Sequence, residues 1–392
     1  MKSILTIEDI SHEISSGVAC ALSKAVKDGI LHLRPFSITS NGQLTTANAP
    51  RIPKEIVPTP KMYLEVGDIL FNNTNSVELV GKSAVLHSQL EATFSNHLTR
   101  VRINRQYAEP GYVHAFFCHL YRHNFFQDKA TRWVGQAAFG SSQLKALEVP
   151  LPPLDEQRRI VGLLNRASEL RYRAETARAK ARAIIPALFF DTFGDPVTNH
   201  KRWKTSPIKE IAQIMGGGTP SKANPTFWNG TIPWVSPKDM KPSTIESSED
   251  QITDTAIAES SVKIVPIGSV LIVVRGMILA HTVPIRVNSV PVTINQDMKA
   301  IVPNKNVDAT FIRWALQVSH DFLLSKVRES AHGTKKLETT TLAEYLLINP
   351  PIEIQTAFAN RAEHLEAFAS SLDIAAQKSE TLAASLSAEV FK

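Results

Sequence analysis

Pro152-Pro153-Leu154-Asp155-Glu156-Gln157 opens one long helical pattern, and Pro350-Pro351-Ile352-Glu353-Ile354-Gln355 opens another 198 residues later. Upstream, Gly135 and Leu144 recur as Gly333 and Leu342 at the same offset. From Asp155 to about Phe190 apolar residues step by three and four through Ile160, Leu163, Ala167, Leu170, Ala174, Ala177, Ala181, Ile184 and Leu188. This is the seam of a coiled coil. Shifted by 198, the phase survives as Phe358, Arg361, Leu365, Phe368, Leu372, Ala375, Ser379, Leu382 and Leu386. The first seam is rich in Ala and the second carries Leu and Phe, so small and large side chains can interdigitate if the two helices pair.

The segments before the helices are duplicated as well. Met62–Phe71 and Val262–Val274 both read as strands around a turn glycine, Gly67 or Gly268, and Ala92–Asn96 is echoed by Val292–Gln296. The fold class expected is α+β: two similar domains joined by two long antiparallel helices with pseudo-twofold symmetry. The domains span 1–153 and 191–351, and the helices 154–190 and 352–392. Because each helix follows its own domain, antiparallel pairing places one domain at each end. A helix of ~36 residues at 1.5 Å per residue spans roughly 54 Å, the length of about 16 base pairs.

At 392 residues, with 43% apolar and 20% charged residues, the chain reads as a folded protein of two or three units. Asp9 follows Glu8 too early for a secretory leader, and no apolar run approaches a membrane span, so a cytoplasmic protein with no membrane partner is expected. Two cysteines, Cys20 and Cys118, suggest buried free thiols rather than a disulfide framework. The net charge of +6 is compatible with a polyanionic partner. Its distribution says more, since residues 155–190 carry a net +4 and residues 353–392 a net −3, which favours pairing of the two helices.

Motifs that suggest catalysis fail on inspection. Asn349-Pro350-Pro351-Ile352 is reminiscent of an amino-methyltransferase loop, yet Ile stands where an aromatic ring would stack on an extruded base. A proline pair there serves to fix the entry angle of the helix. Met215–Lys222 is glycine-rich but lacks the Gly-Lys-Ser/Thr ending of a P-loop. Its Thr219, Ser221 and Lys222 could instead meet a DNA phosphate, or the loop is an ordinary turn. His114, Cys118, His119 and His123 lie among Phe116, Phe117, Phe125 and Phe126, as in a core helix with polar edges, and no metal site is expected. No active site of its own is expected.

Basic and amide side chains near the junctions are the candidates for DNA contact: Lys335 and Lys336 in the second half, Arg132 and Gln136 in the first. Arg34, Asn73, Arg100, Lys238 and Arg275 are further candidates of the same kind. Two other classes remain open, a coiled-coil scaffold without DNA specificity and a self-sufficient DNA methyltransferase.

The duplicated halves, the Pro-Pro-Leu-x-x-Gln junction, the heptad helix and Gly217-Gly218-Thr219-Pro220-Ser221 with Trp228-Asn229-Gly230-Thr231-Ile232-Pro233-Trp234 together resemble the specificity (S) subunits of type I restriction-modification systems. The likeness covers essentially the whole chain. Leu188–Asp195 also looks like the helix-to-domain junction of that family. The resemblance implies two target-recognition domains that each read half of a bipartite duplex DNA sequence, with the helices setting the gap. It implies two methyltransferase (M) subunits and motor-nuclease (R) subunits as partners in an adenine-N6 methylating and restricting complex for phage defence. S-adenosylmethionine, ATP and magnesium would belong to those partners and no cofactor to this chain. One departure stands out: residues 1–35 lack the Gly-Gly-Thr-Pro signature, although Ile30–Gly42 resembles the stretch that usually follows it.

Overall fold

A computed structural model of the chain describes residues 3–329 and 333–391. It divides into two compact units, one formed by residues 1–173 with 375–392 and the other by residues 174–374. Each unit contains part of both long helices, Leu154–Phe193 and Ile352–Val390.

In the first unit a four-stranded antiparallel sheet runs in the order Ser11–Ser16, Leu98–Ile103, Ile69–Asn72, Ser83–Val85. Ile69–Asn72 is buried throughout, as a continuous apolar run in an inner strand requires. A second sheet places Ile30–Leu33 between Arg51–Ile52 and, in parallel, Ala92–Phe94. The helix Pro110–Arg122 packs Tyr112, Val113, Phe116 and Phe117 into the core beside Phe71, Phe126 and Phe139. Strand Ser3–Thr6 pairs with Glu148–Leu151, which leads into the first long helix.

The second unit repeats this order. Its five-stranded sheet runs Ala212–Gly216, Met298–Pro303, Val270–Val273, Ile285–Asn288, Thr244–Ile245. Trp228–Val235 lies between Gln251–Ile252 and, in parallel, Thr293–Ile294, matching the small sheet of the first unit. Helix Ala309–Val318 takes the place of Pro110–Arg122, and Thr205–Pro207 pairs with Leu346–Ile348 ahead of the second long helix. The two domains are therefore versions of one α+β fold.

The glutamine of each junction explains the repeated motif. Gln157 Nε2 donates to the Pro152 carbonyl at 2.8 Å while its Oε1 accepts the Glu109 N–H at 2.9 Å. Gln355 does the same with the Pro350 carbonyl at 2.7 Å and the Asp308 N–H at 3.0 Å. Both glutamines are buried. Each ties the first turn of a long helix to the N-terminal end of its domain's own helix, two groups that would otherwise be unpaired in the interior.

Within each unit the two long helices are antiparallel. In the first, Arg171 meets Glu380 at 3.8 Å, while Ile160 shares a core with Val390 and Phe391. In the second, Arg178 and Arg182 both reach Asp373, and the Phe189 and Phe358 rings lie 5.3 Å apart. Every base is on the first helix and every acid on the second, in the sense of their opposite net charges. The packed stripe is offset from the seam expected from the heptads. Ile160, Ala167, Ala174, Ala181 and Phe358 are buried, and Leu163, Ala177, Leu188, Leu365, Leu372 and Leu386 half-buried. Leu170, Ile184, Phe368, Ala375 and Leu382 are exposed. Ile185, Phe189, Phe193, Ala362 and Ala369 are buried in the stripe.

A single aromatic position closes each unit. In the second, Phe193 lies 5.0 Å from Phe311 and 5.4 Å from Phe358. In the first, Phe391 lies 5.2 Å from Tyr112 and 5.4 Å from Phe116. The first core is thus completed by residues from the far end of the second helix. The second helix is also anchored at its start, where Glu366 pairs with the buried Arg313 at 2.7 Å and Glu363 accepts from Thr310 at 2.9 Å.

Candidate nucleic-acid interface

A feature shared by the two units is a short antiparallel strand pair ahead of each long helix. In the first unit Thr131–Trp133 pairs with Gln136–Ala138, which extends to Thr74–Asn75. Gly135 takes a left-handed turn at φ 73°, a conformation suited to glycine. All of Thr131–Trp133 is exposed, as is Val134 at the tip. The Arg132 guanidinium donates to the Gln127 carbonyl at 2.7 Å, and the Trp133 indole N–H donates to Gln136 Oε1 at 3.1 Å. Asn73 lies beside the same hairpin: its carbonyl accepts from Phe139, and its side chain donates to Thr99 at 2.9 Å and Asn96 at 3.3 Å. Trp133 and Val134 are the residues the sequence reading passed over. An apolar pair beside a turn glycine was their signal.

In the second unit Arg328–Glu329 pairs with Lys335–Lys336, and Lys336 bridges to Arg275. The structure thereby brings together three predicted cations, each with an acid beside it. Arg275 pairs with Asp297 at 2.6 Å, Lys335 with Glu329 at 2.6 Å and Lys336 with Glu338 at 2.9 Å. Lys335 holds the Glu329 carboxyl below its ordinary range. Lys238, elsewhere on the unit, pairs with Asp250 at 2.9 Å and Glu249 at 3.2 Å, and these acids raise its pKa against the opposing effect of desolvation.

The Gly-Gly-Thr-Pro-Ser loop has a packing reason for its composition. A Cβ on Gly217 would stand 1.9 Å from the Asn295 carbonyl oxygen, a contact no side chain survives. Gly218 N–H bonds the Ile294 carbonyl at 2.9 Å, and the Trp234 and Trp228 indoles donate to the carbonyls of Gly218 and Ser221 at 2.9 and 3.1 Å. The Thr219 hydroxyl bonds Gln296, while the Ser221 and Lys222 side chains are exposed. The first unit supplies the counterpart with one glycine. Gly17 backs onto the Phe94 carbonyl, where a Cβ would stand 2.2 Å away, and Val18 N–H bonds that same oxygen at 2.7 Å. A signature absent from residues 1–35 is therefore present as geometry.

Two candidates belong elsewhere. Arg100 is 0% exposed and cannot touch DNA: it donates to the carbonyls of Lys61 and Tyr63 and pairs with Glu13 at 2.6 Å. Its place in an inner strand beside acids is a tertiary fact that composition does not carry. Arg34 is half-buried and donates to the Cys20 carbonyl, with Nε buried and unpartnered. Among the described residues no group of three or more His, Cys, Asp or Glu side chains could hold a metal ion. No helix among them is long and apolar enough to cross a membrane.

The model of the type I restriction modification DNA specificity domain matches residues 200–384. The chain is 32% identical over 233 residues to the EcoR124I/EcoR124II specificity subunit of Escherichia coli, covering 58% of this chain and 56% of that protein. It is 27% identical over 329 residues to the putative MjaX specificity subunit of Methanocaldococcus jannaschii, covering 78% of this chain and 73% of the relative. Residues 200–384 thus match the type I restriction modification DNA specificity domain, and the chain is similar to type I specificity subunits, spanning little more than half the length of the E. coli relative. The fold agrees: the S subunit from M. genitalium superposes with a TM-score of 0.66 at 12% identity, covering 100% of this chain and 96% of that one. A chain from a type I system studied for complex assembly and conformational transition gives 0.58 at 17% identity, covering 100% and 97%. The likeness in fold extends over two domains of one α+β type and the long helices that accompany them.

Proposed function

We propose that this chain is the non-catalytic sequence-reading subunit of a type I restriction-modification complex. Each domain, 1–153 and 191–351, reads one half of a bipartite DNA target, and the helices 154–190 and 352–392 set the gap and dock the partner subunits. The observation that carries this is the strand pair repeated in both units, exposed in the first with Arg132 and Gln136, and in the second bringing the half-buried Lys335 and Lys336 beside the exposed Arg275. Phosphate contacts position such a protein and base-edge contacts specify its sequence. Lys222, Ser221, Thr219, Lys238 and Asn73 are candidates for backbone contacts. Two M subunits supply S-adenosylmethionine chemistry on adenine, R subunits supply ATP- and magnesium-dependent cutting, and the complex works in the cytoplasm.

The test is to sequence methylated adenines in a host carrying the system. A bipartite motif with an unspecified middle supports the reading, and methylation without a bipartite motif rejects it. Removing one heptad from both helices together shortens the strut by about 10 Å, so the tolerated gap should shrink by about three base pairs with both half-sites unchanged. An unchanged gap would reject the ruler.

The hairpins give a second expectation. Replacing Arg132 and Gln136 with Ala should weaken binding to one half-site by about fivefold or more, since a bidentate base contact contributes about 1–3 kcal/mol. Replacing Lys335 and Lys336 with Ala should lower the salt dependence by about two phosphate contacts. Titrations of the subunit assembled with its M partners, at several salt concentrations, measure both effects. Equal losses on unrelated duplexes from the Arg132/Gln136 pair would remove it from base reading.

A further inference from the structure

Cys118 lies on the core helix Pro110–Arg122, one turn after His114, and its Sγ is 3.3 Å from His114 Nε2. The same imidazole nitrogen lies 3.2 Å from the Ser83 carbonyl, so its N–H is shared between a carbonyl and the sulfur. The loop Thr39–Gly42 closes over the pair: a Cβ on Gly42 would stand 3.2 Å from both Sγ and Nε2. The thiol opens on a cleft of about 230 Å³ that is lined by Lys82, Ser83, Tyr121 and Arg122 and, from the two long helices, by Arg171 and Glu380. Ser83, a buried residue, lines this cleft, and its hydroxyl lies against the Cys118 sulfur, where its hydrogen bond favours the thiolate. An oxygen atom added to the sulfur would meet that hydroxyl.

Burial works to raise the Cys118 thiol, but the charges of His114 and Arg122 outweigh it and hold the thiol below its ordinary range. His114 is correspondingly raised, against its burial, by the sulfur. His87 nearby is lowered by burial and by His114. Lys82, whose ammonium bonds the Ile38 carbonyl at 2.8 Å, is lowered by burial alone. Among the described residues Cys20, the other thiol, has the Ala21 carbonyl at 3.5 Å as its one hydrogen-bond partner.

We propose that Cys118 is a peroxide-reactive modification site, with His114 as its partner and a small hydroperoxide as its substrate class. The thiolate sulfur attacks the terminal peroxide oxygen, and the S–O bond forms as the O–O bond breaks. The departing alkoxide or hydroxide takes the His114 proton and leaves as alcohol or water. Sulfur is oxidised by two electrons to a sulfenic acid and the peroxide is reduced. Because the cleft is walled by both long helices within the first unit, the added oxygen lies where those helices seat on the domain.

The test uses the full-length chain with hydrogen peroxide and a dimedone-type probe, read by peptide mass spectrometry. Cys118 is expected to label at least tenfold faster than Cys20 in the same molecule. Its alkylation should persist at pH 6, where an ordinary thiol of pKa ~8.5 is almost wholly protonated. His114→Gln should remove the excess rate at Cys118 and leave Cys20 unchanged. Equal rates at the two cysteines of the unmodified chain, a comparison that needs no variant, would overturn the proposal, as would a fast Cys118 in the folded His114→Gln chain.

Discussion

Arg100→Ala should destabilise the first unit by about 3–5 kcal/mol, the range for removing one partner from a buried charge network. Arg100 gives two hydrogen bonds to backbone carbonyls, of Lys61 at 2.7 Å and Tyr63 at 3.1 Å, and two to side chains, of Glu13 at 2.6 Å and Ser15 at 3.1 Å. It also lies 4.0 Å from Asp68, a buried carboxylate that Arg102 holds at 2.7 Å. Deleting the guanidinium leaves the Lys61 carbonyl without its donor, the Tyr63 carbonyl with only the 3.4 Å bond from Arg102, and the Glu13 carboxylate without its partner. It also opens a hole against the Phe94 ring, which the guanidinium faces at 5.4 Å. Hydrogen exchange over residues 61–71 and 92–103 would register the loss. A variant with unchanged exchange but lost DNA binding would return Arg100 to the recognition surface.

Phe391→Ala is expected to cost a similar amount, about 3–5 kcal/mol, because it empties a packed aromatic site. Phe391 touches the rings of Tyr112, Phe116 and His119. Arg122 and His119 meanwhile hold Ser387 one turn earlier, at 3.4 and 3.3 Å. The effect should be local: limited proteolysis should open residues 375–391 in the variant and leave 200–350 protected. Protection of 375–391 equal to that of the unaltered chain would show that Phe391 contributes nothing to the first core.

The duplication, the α+β class and the helix pair were legible in the sequence because each leaves a periodic trace. The seam was only half legible. A three-four spacing admits two choices at alternate steps; the apolar rule picks Leu170 over Arg171 and cannot tell Ile184 from Ile185. The packed stripe takes Arg171 and Arg178, whose charges are met by Glu380 and Asp373 about 200 residues away in the chain. No reading of one helix alone reveals that. The Gly-Gly-Thr-Pro loop was legible where two tryptophans mark it. It was invisible in the first half, where Gly17 alone performs the close approach. Cations near the junctions pointed to the hairpin, whereas Arg100 misled because an isolated arginine in a strand looks the same whether it faces water or a buried acid.

The dependence of the first core on Phe391 has a consequence for biosynthesis. Residues 3–173 leave the ribosome long before residues 375–391 exist, and at ~5–20 residues per second the delay is on the order of ten seconds or more. Throughout that interval Tyr112 and Phe116 lack their covering ring, so the nascent first domain leaves part of its aromatic core open until translation is nearly finished. A message truncated within the last part of the second helix, between residues 375 and 390, would yield a polypeptide whose earliest-made domain is the one left incomplete.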